Sequence, residues 1–90
     1  MSQQEPPKIE FPCPDYPIKV LGDNSDAFMQ AVLAIMEKHA PGFDRSKVGN
    51  RDSRNGRFQS ITVFITATGL DQLQAIFEDL KTLPDTKMVL

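Results

Sequence analysis

Residues 57–67 read Arg-Phe-Gln-Ser-Ile-Thr-Val-Phe-Ile-Thr-Ala, and their alternation constrains the fold more than any other stretch of the chain. Ile61, Val63, Ile65 and Ala67 share one parity, whereas Phe58, Ser60, Thr62, Phe64 and Thr66 share the other. Successive side chains on a strand point to opposite faces, so this is a strand with one apolar side and one mixed side. Asn55-Gly56 precedes it directly, a pair suited to a two-residue hairpin turn because both central positions need φ above zero. The stretch is predicted to be a central sheet strand entered from a tight hairpin.

The rest of the chain supplies the partners for that strand. Tyr16 to Leu21 alternates as well, with Ile18 and Val20 inward, and Gly22 is predicted to end this first strand. Asp23, Asn24 and Ser25 can each accept from an orphan N–H of a following helix. That helix is predicted from about Asp26 to His39, with Phe28, Ala31, Val32, Ile35, Met36 and His39 on one side. Ala40-Pro41-Gly42 stops it. A weak second strand is expected near Ser46 to Ser53. With a two-residue turn, Val48 falls opposite Val63 and Asn50 opposite Ile61, which puts Val48 on the core face. The same register sets Arg54 directly opposite Arg57. Thr68 is predicted to cap a second helix over Gly69 to Lys81, with Asp71 as its capping-box partner and Leu73, Ile76, Phe77 and Leu80 inward. Leu83-Pro84-Asp85 turns the chain into a short last strand, Thr86 to Leu90.

The order β-α-β-β-α-β predicts an α+β, ferredoxin-like sandwich. Two right-handed crossovers around a hairpin place both helices on one face of a four-stranded antiparallel sheet, in strand order 4-1-3-2. Ninety residues suffice for one small core and no second lobe. Residues 1–9 are expected to form a flexible tail and residues 10–90 the single domain, with Phe11 packing on its edge. Cys13 is the only cysteine, which excludes an intramolecular disulfide, and it reads as a small apolar residue rather than a reactive thiol. No apolar run approaches the roughly 18 residues of a membrane span, and the N-terminus lacks the apolar core of a secretory signal. A cytoplasmic protein is expected.

Four segments together resemble the YbeD family of small bacterial proteins. They are Glu-Phe-Pro-Cys-Pro-Asp-Tyr-Pro-Ile-Lys-Val-Leu-Gly at 10–22, His-Ala-Pro-Gly at 39–42, Gly-x-Phe-x-Ser-Ile-Thr-Val at 56–63 and Met-Val-Leu at 88–90. The likeness covers about residues 9 to 90. It implies an ACT-like fold and a family without an established biochemical activity. The hairpin of this chain is richer in arginine than the serine- and lysine-bearing loop usual in the family. The resemblance therefore implies no role for those arginines.

Catalytic patterns are missing from the residues. His39 is the only histidine, at a helix end where it suits a C-terminal cap. One Cys and one His cannot build a zinc site of usual spacing, and no phosphate-cradling glycine motif occurs. Glu37, Glu78 and Asp79 read as solvated helix surface. The chain is expected to be no enzyme and to need no cofactor or metal.

Three places can bind something. Arg45, Lys47, Arg51, Arg54 and Arg57 face Asp52 alone, a net +4 in a chain of net −2, so the remaining residues carry −6. A like-charged hairpin attracts an acidic partner, though a solvated tip also tolerates arginines. The second place is the open sheet face, where Phe58, Ser60, Thr62 and Phe64 are expected beside Lys19, Lys47 and Arg51. Two exposed phenylalanines there suit a protein partner. Base stacking would use the same face, but the first strand offers Lys19 where an aromatic is needed. The third is the loop Gly22-Asp23-Asn24-Ser25: the ACT-like resemblance implies a junction that often lines an amino-acid pocket, and a small anionic ligand could sit at the helix N-terminus, although any β-α turn would use the same residues. The sequence points to a non-catalytic regulatory or binding module acting through another protein. A nucleic-acid-binding module using hairpin 45–57 is the alternative. A membrane partner is not expected, and monomer and homodimer both remain open.

Overall fold

The alternating stretch folds as strand β3 (Phe58–Ala67), which lies inside the sheet with Ile61, Val63, Ile65 and Ala67 buried. The computed structural model describes residues 10–89. On one side β3 pairs antiparallel with β1 (Cys13–Asp23), setting Ile18 against Val63 and Val20 against Ile61. On its other side lies β2 (Gly49–Asp52), and β4 (Thr86–Val89) pairs with the far edge of β1. The sheet order β2-β3-β1-β4 is the predicted 4-1-3-2 order, so the ferredoxin-like architecture holds.

Both helices pack on the face that carries Ile18, Val20, Ile61, Val63 and Ile65. Helix α1 (Asp26–His39) contributes Phe28, Val32 and Met36, and α2 (Leu70–Thr82) contributes Leu73, Ile76 and Leu80. Ile35 and Phe77, predicted fully inward, are only partly buried at the margin of this core. Of the three candidate caps for α1, Ser25 takes the role, its Oγ accepting from the Phe28 N–H at 3.1 Å. Thr68 does not cap α2. Gly69 occupies the N-cap position, and Gln72 Oε1 reaches back to accept from the Thr68 N–H at 2.8 Å. A glutamine three residues past the cap thus does the work assigned to threonine and aspartate.

The hairpin register is the predicted one, with Asn50 opposite Ile61 and Gly49 opposite Thr62. Its ends differ. Residues Arg45–Lys47 form a single 3-10 turn, so β2 is shorter than expected and Val48 lies half-buried just before it. The turn is also wider than two residues. Ser53 N–H donates to Phe58 O at 2.8 Å and Gly56 N–H to Ser53 O at 2.9 Å, which places Arg54, Asn55, Gly56 and Arg57 all in the loop. Asn55 needs no positive φ, because its Oδ1 accepts from the Arg57 N–H and the Ser53 hydroxyl instead. Only Gly56, at φ 73°, takes up the left-handed conformation there. Arg54 and Arg57 are therefore loop residues rather than a cross-strand pair.

Strand β1 outruns its prediction at both ends. A register irregularity between Cys13 and Tyr16, with Asp15 at φ 56°, lets the chain resume pairing before Tyr16. At the other end Gly22 does not terminate the strand. A Cβ at Gly22 would lie 2.3 Å from Phe28 Cζ and 2.6 Å from Asp85 O, so glycine is required where α1 and the entry to β4 close over the strand. The expected tail at 1–9 and Leu90 lie outside the described residues.

Candidate functional site

The sheet face opposite the helices gathers Lys19, Arg51, Phe58 and Phe64 of the predicted binding residues, together with Ser60 and Thr62. Two rows cross three strands. Gly49, Thr62 and Lys19 form one, and Arg51, Ser60 and Leu21 form the next. Together Lys19, Gly49, Asn50, Arg51, Ser60 and Thr62 line a concavity of about 320 Å³. It exists because Gly49 carries no side chain; a Cβ there would meet nothing within 4 Å. Phe64 lies beside Pro17 on one flank. On the other, Phe58 is half-buried with Lys87 Nζ 5.9 Å from its ring centroid. Met88, paired with Leu21, is 51% exposed on the same face.

Ion pairing divides the basic hairpin into two sets. Arg45 reaches Glu37 at 4.0 Å and also lies over the ring of Phe43, and Lys47 Nζ donates to Asp15 at 3.1 Å. Lys47 thereby reaches the start of β1. Lys19, Arg51, Arg54, Arg57 and Lys87 have no carboxylate within ion-pair distance among the described residues. Asp23 and Asp52, the acids nearest them in the strands, pair with none of these cations.

The loop Gly22-Asp23-Asn24-Ser25 is occupied with holding the structure together. Asn24 N–H donates to Arg57 O at 3.0 Å and Asn24 Nδ2 to Gly56 O at 2.9 Å, which anchors the hairpin tip to the head of α1. The Asp23 and Ser25 carbonyls both accept from Gln59 Nε2, at 3.1 and 3.0 Å. Gln59 is 2% exposed and shares the parity of Ile61 and Val63, a polar residue on the core side whose amide is satisfied by this loop. Its place in the alternation was the available signal, and the sequence reading passed over it. The small hollow beside the loop, about 220 Å³, includes the Asp26 carboxylate, which opposes an anion at this helix end.

His39 and Asp79 also depart from expectation. Asp79 is not solvated helix surface: its Oδ2 lies 2.6 Å from His39 Nε2 and 3.4 Å from Lys38 Nζ, joining α2 to the end of α1. The hydrogen bond from His39, helped by Lys38, holds the Asp79 carboxyl below the usual carboxylate range against the opposing effect of burial. His39 does lie in the basic last turn of α1, as expected; Ala40 is the C-cap, its N–H donating to Met36 O at 2.7 Å, and Gln72 Nε2 donates to His39 O at 2.9 Å. His39 borders a second cleft, about 210 Å³, with Pro41, Phe43, Thr66 and Thr68. Among the described residues no three His, Cys, Asp or Glu side chains gather as a metal site, and no helix is long and apolar enough to cross a membrane.

Residues 6–90 match the family described as "Protein of unknown function (DUF493)". A UPF0250 protein of Azotobacter vinelandii is 55% identical over 84 residues, covering 93% of this chain and 91% of its own. A UPF0250 protein of Pseudomonas aeruginosa is 52% identical over 86 residues, covering 96% and 92%. The YbeD family is this same UPF0250 group, so the sequence resemblance stands. The solution structure of protein HP0495 from H. pylori superposes with a TM-score of 0.74 at 18% identity, over 100% of this chain and 93% of that one. That likeness supports the ferredoxin-like fold and nothing finer.

Proposed function

This chain belongs to the DUF493 family, and from the geometry of its sheet we propose that it is a non-catalytic binding module for an acidic protein. One observation carries the reading. Lys19, Arg51, Arg54, Arg57 and Lys87 gather on the open face and its adjoining hairpin tip without acidic partners among the described residues, while Lys38, Arg45 and Lys47 are paired elsewhere. Unpaired cations of one sign raise the local potential and steer an oppositely charged surface into contact. Half-buried Phe58 and Phe64 and exposed Met88 add apolar area for a partner to cover. Asn24 holds the hairpin tip in place through two backbone acceptors, so the arginines are presented on an ordered support.

Nucleic acid is the competing acidic partner. Strand β3 presents Phe58 and Phe64, but neighbouring β1 offers Lys19 and Leu21 where stacking across both central strands needs an aromatic. Affinity capture from a cell lysate, with the wild type and an Arg54→Glu/Arg57→Glu variant compared by mass spectrometry and nuclease treatment, tests the reading. An acidic protein retained by the wild type alone, and unaffected by nuclease, supports it. Retention that disappears with nuclease shifts the function to nucleic acid.

A further inference from the structure

We propose that the concavity formed by Lys19, Gly49, Arg51, Ser60 and Thr62 is a binding site for a phosphomonoester dianion. This rests on the reading of the open face as a binding surface and assigns one discrete ligand site within it. The strands place Lys19 and Arg51 on opposite sides of β3, with Cα atoms about 12 Å apart from strand spacing and rise. Both side chains line the hollow that Ser60 and Thr62 also line, and a lysine and an arginine are long enough to reach across it. Among the described residues neither hydroxyl has a hydrogen-bond partner and neither cation has a carboxylate partner. The donor set is therefore an ammonium, a guanidinium fork and two hydroxyls, all free to point at one group.

A phosphomonoester matches that set better than a carboxylate does. It carries up to two negative charges near neutral pH against two cations, and three terminal oxygens against four donors. A phosphodiester carries only one charge per phosphate. The concavity's volume of about 320 Å³ sits at the small end of ligand pockets, enough for a phosphorylated metabolite of sugar size. Gly49 is the opening: a Cβ there would meet nothing within 4 Å, and its parity on β2 aims a side chain at this space.

The test is an NMR titration of the full chain at pH 7.5 and constant ionic strength, using inorganic phosphate, glycerol 3-phosphate, acetate and a short phosphoserine peptide. Saturable shifts at residues 19, 49, 51, 60 and 62 are expected with the phosphate probes and not with acetate. Whether glycerol 3-phosphate or the phosphoserine peptide saturates first identifies the source as a free metabolite or a modified side chain. Lys19→Gln and Arg51→Gln should each weaken binding about tenfold. Gly49→Leu should abolish it with the net charge unchanged, which diffuse attraction does not predict. Arg54→Glu/Arg57→Glu should leave phosphate binding within about twofold, so this site and the acidic-protein surface fail or survive separately. Shifts that never saturate, equal responses to acetate, or an unchanged affinity in Gly49→Leu with its fold intact by its spectrum would overturn the assignment.

Discussion

His39 of α1 and Asp79 of α2 meet across the helix pair, with Nε2 2.6 Å from Oδ2, and join the two elements that cover the sheet. Because the Asp79 carboxyl is held below its ordinary range in the fold, its contribution to stability is present above the unfolded carboxylate pKa of about 3.9. It is lost as pH falls through the lower folded value. Asp79→Asn should therefore be less stable than the wild type at pH 5 and above, and the two unfolding curves should converge below about pH 4. His39→Gln should lower stability and leave partner binding intact. Parallel denaturation of the three proteins across that range checks both statements.

Ile61 is fully buried at the centre of β3, so Ile61→Ala removes side-chain volume from a closed core. The expected cost is about 2–5 kcal/mol by chemical denaturation, a large share of a small domain's stability. A cost well under 1 kcal/mol would place Ile61 on the wrong face.

Gly22→Ala should be as damaging although it adds one methyl. The new Cβ would meet Phe28 at 2.3 Å and the Asp85 carbonyl at 2.6 Å, and the carbonyl belongs to backbone that cannot swing aside. A loss of about 1–3 kcal/mol or more is expected. The Phe28→Leu background should recover part of it if the ring is the main obstacle.

Gln59→Leu keeps the residue's size but leaves the Asp23 and Ser25 carbonyls without their shared donor. Each carbonyl keeps a backbone donor, Ser25 N–H on Asp23 O and Met29 N–H on Ser25 O, so the loss is that of the side-chain bonds alone, about 1 kcal/mol, with a looser loop before α1. Faster amide exchange at Asn24 and Ser25 would report that loosening directly.

Period-two alternation made the sheet legible. Ile18, Val20, Ile61 and Val63 can be assigned to one face from parity alone, and the hairpin register followed from keeping Val48 near that face. The turn itself was not legible, since Asn55 satisfies its neighbours by side-chain hydrogen bonds and does not adopt the conformation that Asn-Gly usually signals. Contacts between distant elements were hidden for a different reason. Asp79 reaches His39, Lys47 reaches Asp15 and Asn24 reaches Gly56 only through the packing of one element on another, which no local pattern encodes. Those same contacts decide which cations are left for a partner.

The central claim is that the unpaired arginines bind an acidic protein, and the direct test is a binding titration with the protein retained by the wild type. Wild type and Arg54→Glu/Arg57→Glu are compared at two salt concentrations, with circular dichroism to establish that both are folded. Both residues lie in the exposed hairpin loop, outside the buried core, so the fold should survive. The wild type should bind more weakly at the higher salt, and the charge-reversed variant should lose at least about tenfold in affinity at the lower one. Equal affinity of the two folded proteins at both salts would contradict the account and leave the arginines as solvated surface.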